Sequence, residues 1–260
     1  MTEINKDNGL PFISSFRVNT DLVWQMSRSE KYALIGLLEH LKPNCSVEIG
    51  TYQGGSLQVI SKFSEKVYSI DISPEPKRTL QPLFDNVEFI VDQSVNVLYD
   101  LFKNIEEAGE KLNFILVDGD HSRKGVHDDL KMILDYPHKN DLVILMHDSY
   151  NPQCRKGMKD IDYSSYDNIE YVELDYITGS FWHNGNNREM WGGLALVKVS
   201  GNPNNRAEVN ESARNSFKVA QLHSIHIIKD KLRFLSPIKK RIYKQFKMRH
   251  KADKYFDFEK

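Results

Sequence analysis

Glu48-Ile-Gly50-Thr-Tyr-Gln-Gly54-Gly55-Ser56 is the stretch whose reading decides the fold. It follows a short apolar run, Ser46-Val-Glu-Ile49, and leads into a segment of helix length, Ser56–Phe63. A strand that passes through a glycine-rich turn into a helix is the opening unit of a doubly wound sheet. Outward from it the pattern repeats. Lys66–Ile70, Val87–Val91, Phe114–Val117 and Leu142–Met146 are apolar runs, separated by the helix-length segments Pro76–Phe84, Val95–Ala108 and Lys124–Tyr136. Strands apolar on both faces, alternating with helices, predict a parallel sheet covered on both sides. Glu170–Tyr176 and Gly193–Val199 predict a pair of antiparallel strands at its edge. The expected fold is α/β: a doubly wound, mostly parallel Rossmann-like sheet with an antiparallel edge, an N-terminal helical cap and a C-terminal helical tail.

Three regions follow. Residues 1–43 form the cap, in which Ser27-Arg-Ser-Glu30 has the form of a capping box ahead of Ala33, Leu34, Leu37, Leu38 and Leu41 at helical spacing. Trp24 and Phe16 lie nearby as core residues or as a lid. Residues 44–200 form the main domain. Residues 201–260 open with Gly-Asn-Pro-Asn-Asn and are expected to be a linker leading into a helical tail.

Composition sets limits on function. Of 260 residues, 40% are hydrophobic and 27% charged, which is ordinary for a globular chain. The two cysteines, Cys45 and Cys154, have no metal-ligand spacing, and they point to a reducing compartment rather than a disulfide framework. No leader is visible, and no apolar run approaches the roughly 18–20 residues that span a bilayer, so a cytoplasmic protein is expected.

The net charge is −1, but Lys229–Lys260 holds 12 Lys+Arg against 4 Asp+Glu. There Leu235, Ile238, Ile242 and Phe246 lie close to helical spacing among Lys239, Lys240, Arg241, Lys244, Lys247 and Arg249. Such a helix suits peripheral contact with an anionic membrane face, or packing on the body or on a second copy of the chain. The body has no basic patch interleaved with aromatics, so nucleic acid is not expected as a partner.

The first turn is a cofactor cradle on its position alone, because ligands of doubly wound sheets bind beyond the carboxyl ends of the strands. Its glycines, at 50, 54 and 55, do not have the G-x-G-x-x-G spacing of a dinucleotide turn. Glu48 beside the turn opposes a pyrophosphate and suits a cofactor with a cationic end, as S-adenosylmethionine has in its ammonium and sulfonium. Asp71, 23 residues on, ends the second strand where a carboxylate accepts both ribose hydroxyls of an adenosine. Asp92-Gln93-Ser94 ends the third, beside the adenine edge. The expected cofactor contacts are therefore Glu48, Gly50, Gly54, Gly55, Ser56, Asp71, Asp92, Ser94 and Asp118. Asp71 and Asp92 acting only as caps of the following segments is the bland alternative.

The pattern V-E-I-G-x-x-x-G-G-S, then S-I-D, V-D-G-D-H-S and H-D resembles the class I S-adenosylmethionine-dependent methyltransferases. Within them it is similar to the metal-dependent small-molecule and sugar O-methyltransferases, the catechol O-methyltransferase group among them. The likeness spans about residues 45–199. It implies S-adenosylmethionine as methyl donor and a hydroxyl of a sugar, cell-surface saccharide or other small molecule as acceptor.

Val117-Asp118-Gly-Asp120-His121-Ser122 leaves the fourth strand and His147-Asp148-Ser149 the fifth. Adjacent strands lie about 4.8 Å apart, so Asp118, His147 and Asp148 are expected to converge on a divalent cation. Carboxylates and water favour Mg²⁺, and a histidine admits Mn²⁺, Fe²⁺ or Zn²⁺. The resemblance matches Asp118 to the first metal aspartate and His147-Asp148 to the later pair, where catechol-type enzymes carry Asp-Asn. His121 is the candidate base and, with Asp118, the catalytic pair, since an unperturbed histidine titrates near pH 6.5. A packed loop histidine is the other reading of His121, a substrate hydrogen bond that of His147, and Asp120 is a ligand or a helix cap.

Asn151–Met158 and Phe181–Trp191 are expected to be loops at the same rim. Trp182, His183, Arg188 and Trp191 mix aromatic faces with donors, as a carbohydrate site does, or pack beneath a long loop. Two further classes compete: a nicotinamide-dependent oxidoreductase on the same fold, and a non-catalytic subunit of this fold that binds a membrane or partner through its basic tail.

Overall fold

A computed structural model describes residues 17–184, 187–201 and 209–229. The elements run α1 (Arg28–Leu41), β1 (Cys45–Ile49), α2 (Leu57–Phe63), β2 (Lys66–Asp71), α3 (Glu75–Leu80), β3 (Val87–Val91), α4 (Ser94–Glu107), β4 (Leu112–Val117), α5 (Arg123–Asp135), β5 (Leu142–His147) and α6 (Pro152–Lys159). They continue with β6 (Ile169–Ile177), β7 (Ser180–Asn184), β8 (Asn187–Trp191), β9 (Leu194–Val199), β10 (Val209–Asn210), α7 (Arg214–Leu222) and α8 (His226–Lys229). Phe16, residues 1–15 and the tail beyond Lys229 with its apolar stripe lie outside the described residues.

Eight strands form one sheet in the order β10-β6-β9-β5-β4-β1-β2-β3, and β7-β8 form a separate hairpin. The strands β3, β2, β1, β4 and β5 are parallel neighbours. The order reverses between β1 and β4, which is the topological switch of a doubly wound Rossmann-like sheet. The expected antiparallel pairing is present, with β9 running antiparallel between β5 and β6.

Successive side chains of a strand face opposite sides, and the core divides accordingly. Cys45, Val47, Ile49, Ile115 and Val117 meet Leu98, Phe102, Leu130 and Met158 of α4, α5 and α6 on one face. Phe114, Leu116 and Leu145 meet Leu34, Leu38, Leu57, Ile60 and Leu80 of α1, α2 and α3 on the other. Each large side chain so enclosed contributes about 1.5–3 kcal/mol relative to exposure. Trp24 joins the second cluster, so it is a core residue.

Helix α1 starts as expected: Ser27 Oγ accepts the Glu30 N–H, and a Glu30 carboxylate oxygen accepts the Ser27 N–H. Residues 209–229, expected to be linker and tail, instead dock on the body. Val209–Asn210 pairs with β6, and Phe217 and Ala220 of α7 are buried against Tyr150 and Met190. Among the described residues no helix is long and apolar enough to cross a membrane.

Candidate active site

The site begins where five parallel strands end in one row. The Gly50 N–H donates to the Ile70 carbonyl at 2.8 Å, the Asp118 N–H to Ile49 at 2.8 Å and the Asp92 N–H to Asp71 at 3.1 Å. These bonds carry the sheet ladder one residue past the strands, so Asp92, Asp71, Gly50 and Asp118 stand side by side. Gly50 has φ +92°, and a Cβ there would lie 2.1 Å from the Asp118 carbonyl oxygen. Only glycine allows that backbone conformation and that approach. Gly54 and Gly55 instead pack against Leu80 and Trp24.

The acidic groups of the turn mostly hold it together. Glu48 is fully buried and accepts hydrogen bonds from Ser56 Oγ at 2.6 Å and Ser69 Oγ at 2.9 Å. Burial pushes its carboxyl up to about 8, against the opposing effect of the two hydroxyls, so it is neutral at pH 7. Glu48 and Ser56 thus brace the turn from beneath.

Asp71 Oδ2 accepts the Thr51 and Tyr52 N–H groups, both at 3.1 Å, and Oδ1 accepts the Ser73 N–H at 2.8 Å. It shapes the turn while remaining partly open at the rim. Asp92 Oδ1 accepts the Gln93 N–H at 2.6 Å and Asn96 Nδ2 at 2.8 Å, which steadies the start of α4. Ser94 Oγ donates to buried Asp129 of α5 and so is directed away from the rim. Ile72, next to Asp71, was not singled out from sequence, yet it is 76% exposed. An isolated exposed isoleucine has no sequence signature.

Beyond the switch point the second half of the site assembles around His147. This histidine is buried, with Nδ1 2.9 Å from Asp118 Oδ1 and 3.8 Å from Asp148 Oδ1. His121 Nε2 lies 3.3 Å from Asp118 Oδ1 and 3.2 Å from Asp148 Oδ2. One ligand atom each from Asp118, His147 and Asp148 lie within 4.8 Å of one another. The four expected residues are thus together.

Their charges are strongly coupled. Burial opposes ionisation of Asp118, but His147 and His121 outweigh it and hold the carboxyl well below the usual carboxylate range. Burial likewise disfavours charged histidines, yet the carboxylates raise His147 well above 6.5 and His121 to about 9. His121 is therefore not poised near neutrality as an unperturbed imidazole would be. In this arrangement its Nε2 lies between the two aspartates.

Asp148 has φ +57°, an uncommon conformation for a residue with a Cβ. It is held there by the Gly192 N–H, which donates to Oδ1 at 2.6 Å, and by the Asn151 N–H, which donates to its carbonyl at 2.8 Å. Backbone strain of this kind, on the order of 1–3 kcal/mol, persists only where the surroundings determine it fully. Asp120 stands apart: its carboxylate accepts the Ser122 N–H and Oγ at 2.9 and 2.8 Å, and Ser122 caps α5. Asp120 thus supports the cap and does not join the cluster.

Two segments expected to be loops are regular. Phe181–Trp191 lies within the hairpin β7-β8, with Trp182 paired to Glu189 and His183 to Arg188. The Asn184-Gly185 dipeptide between the aromatic pair Phe181-Trp182 and Met190-Trp191 was the available signal. Trp182 is 41% exposed, and the Trp191 ring meets His121 edge to face.

Asn151–Met158 is the start of helix α6, capped by Asn151 Oδ1 accepting the Gln153 N–H at 2.9 Å, with Pro152 in its first turn. Arg155 within it is buried in a bidentate pair with Asp175, at 2.7 and 2.9 Å. It also reaches Glu211 at 3.3 Å and lies 4.4 Å from the Phe217 ring centroid. Its work is structural.

Residues 47–149 match the family model described as a methyltransferase domain. No curated protein matches the chain. Among solved structures, an O-methyltransferase from Bacillus cereus in complex with SAH is 15% identical, covering 69% of this chain and 85% of that one, with a TM-score of 0.49. The tomaymycin-synthesis O-methyltransferase TomG from Streptomyces achromogenes, in complex with SAM, is 14% identical, covering 70% and 83%, with a TM-score of 0.47. A putative O-methyltransferase from Klebsiella pneumoniae is 15% identical, covering 70% and 84%, with a TM-score of 0.46. The segment that matches the methyltransferase domain contains the glycine turn, Asp71, Asp92, Asp118, His121, His147 and Asp148.

Proposed function

We propose that this chain transfers the methyl group of S-adenosylmethionine to a hydroxyl of a sugar, cell-surface saccharide or comparable small molecule, with a divalent cation at Asp118, His147 and Asp148. The observation that carries this reading is the convergence of those three residues with His121 at the ends of β4 and β5, directly beside the cofactor turn. Asp71 at the rim and the exposed face of Ile72 beside it suit the ribose and the adenine of the cofactor.

Methyl transfer from a sulfonium is an in-line displacement. The acceptor oxygen forms a bond to the methyl carbon as the carbon–sulfur bond breaks, leaving a neutral thioether, and the hydroxyl proton must go to a base. An aliphatic hydroxyl is a weak nucleophile at neutral pH. A divalent cation, when bound, supplies Lewis acidity that lowers the hydroxyl pKa and fixes its orientation.

The donor set fits such an ion. What supports such an ion is the gathering of acids around two imidazoles: Asp118 and Asp148 face His121, and Glu30, Asp118 and Asp148 face His147. His121 can accept the acceptor's proton only in its neutral form, which requires Asp118 and Asp148 to be engaged elsewhere. Trp182, on the hairpin face that also carries Trp191, is exposed and offers a stacking face to a saccharide.

The test is transfer of labelled methyl from S-adenosylmethionine across a panel of sugar nucleotides and surface glycans, with and without Mg²⁺. Label appearing on a hydroxyl only when the cation is present is the expected result. Label found on nitrogen, or transfer indifferent to chelation, would overturn it.

A further inference from the structure

Glu30 belongs to the N-terminal helix, far in sequence from the methyltransferase strands, and its capping box accounts for only one of its two oxygens. Oε2 accepts the Ser27 N–H and completes the box. Oε1 leaves the helix altogether. It accepts the Gly193 N–H and lies 3.4 Å from His147 Nε2. Glu30 is 1% exposed, so this carboxylate has been taken out of water to reach that position. Burial works against its charge, yet His147 and Ser27 hold it ionised, down to about 2. A capping box needs no such burial, because its members ordinarily sit at the solvent edge of a helix terminus.

His147 is correspondingly one-sided. Its Nδ1 faces Asp118 and Asp148, whereas Nε2 is buried and has no hydrogen-bond partner among the described residues; the Glu30 carboxylate is the ion-pair contact that faces it. Imidazoles that bind metal through one nitrogen commonly donate the other N–H to a carboxylate, which fixes both tautomer and ring orientation. The loop at the base of the hairpin completes the arrangement. Consecutive N–H groups are divided between the two acids, Gly192 to Asp148 and Gly193 to Glu30. Gly192 has φ +71°, and a Cβ on it would stand 2.7 Å from Glu30 Oε1.

We propose that Glu30 is a positioning residue of the cation site: its carboxylate holds the far nitrogen of His147, so that Nδ1 is presented to the ion together with Asp118 and Asp148. The proposal rests on the cation reading given above. It makes the N-terminal helix part of the active site rather than a cover over the cofactor half.

The experiment is titration of the full chain with Mn²⁺ by calorimetry, for wild type, Glu30→Gln and Ser27→Ala. Glu30→Gln is expected to weaken Mn²⁺ binding by about 10–100-fold, the range for partners of ligating histidines. Ser27→Ala removes the other half of the capping box and leaves the carboxylate in place. It is expected to lower the melting temperature with Mn²⁺ affinity changed by less than about twofold, on the small cost of a lost cap.

Equal affinity of Glu30→Gln and wild type would overturn the role of Glu30. Absence of Mn²⁺ binding by wild type would overturn the cation reading itself, so the two failures are distinct. Should Glu30→Gln not fold, the ¹⁵N spectrum of His147 in Mg²⁺-loaded wild type decides. A protonated Nε2 is expected, and a protonated Nδ1 would sink the proposal.

Discussion

His121 and Trp191 meet edge to face, with ring centroids 5.8 Å apart and planes inclined at 84°. Trp191 is the last residue of the hairpin, so the hairpin touches the proposed proton acceptor directly. Such ring pairs contribute about 0.5–1.5 kcal/mol beyond buried area, enough to bias an imidazole rotamer that is otherwise half exposed. Trp191→Ala is expected to lower kcat by about tenfold, which is about 1.4 kcal/mol of lost orientation. Affinity for S-adenosylhomocysteine, measured by calorimetry, is expected to stay within about twofold. A variant with unchanged kcat would show that the ring contact is only packing.

Asp148 belongs to the proposed cation site and not to the proposed cofactor contacts. Asp148→Ala, or treatment of the wild type with EDTA, is expected to abolish methyl transfer and to leave S-adenosylhomocysteine binding intact. Mg²⁺ or Mn²⁺ should restore the chelated wild type but not the variant. Turnover that survives EDTA would leave His121 to act without an ion.

The close passage of Gly50 over Asp118 leaves no room for a methyl group. Gly50→Ala places a Cβ 2.1 Å from the Asp118 carbonyl oxygen at a φ of +92°. Both the clash and the backbone conformation oppose it, so a loss of more than about 2 kcal/mol is expected in urea unfolding. Cofactor binding should fall with it, since Gly50 anchors the turn to β2 through the Ile70 carbonyl.

Glu48 gives the fold a pH dependence of definite sign. Its folded pKa, about 8, lies above the unfolded value of 4.5. Between those values the folded chain keeps a proton that the unfolded chain has lost, so this contribution is full below pH 4.5 and is lost as pH rises through 8. At about 1.4 kcal/mol per unit the whole change is on the order of 5 kcal/mol at most. Glu48→Gln has the shape of the protonated acid without its titration. Wild type should lose stability relative to Glu48→Gln between pH 5 and 8 in urea unfolding, and parallel profiles would refute the assignment.

The buried Arg155–Asp175 pair predicts a stability effect without a specificity effect. Arg155→Met leaves Asp175 buried and unpaired, and is expected to cost about 3–5 kcal/mol in urea unfolding. Removing both charges, Arg155→Met with Asp175→Leu, should recover much of that loss. The KM for the acceptor should be unchanged in any variant that folds.

What was legible in the sequence follows from what is repeated and local. The alternating apolar runs gave β1 to β5 and their helices because a parallel sheet buried on both faces requires continuous apolar strands. The convergence of Asp118, His121, His147 and Asp148 was legible because strand ends in such a sheet share one rim. Asn151–Met158 misled because its polar residues read as a loop, although Asn151-Pro152 was a helix start in plain view. The burial of Glu48 was not legible, because nothing local reveals that Ser56 and Ser69 close over it. Glu30 was read only for its capping, because the second contact of its carboxylate lies 163 residues away at Gly193.

Arg155 also moves the boundary of the folding unit. Its guanidinium is covered by Glu211 and Phe217, both beyond the polar stretch that follows Ser200. A chain cut at that stretch would keep every strand-end residue of the methyl-transfer site and yet uncover a buried cation in the middle of its own scaffold. The folded unit therefore reaches at least through α7, because Glu211 and Phe217 cover a cation that the sheet's own scaffold buries.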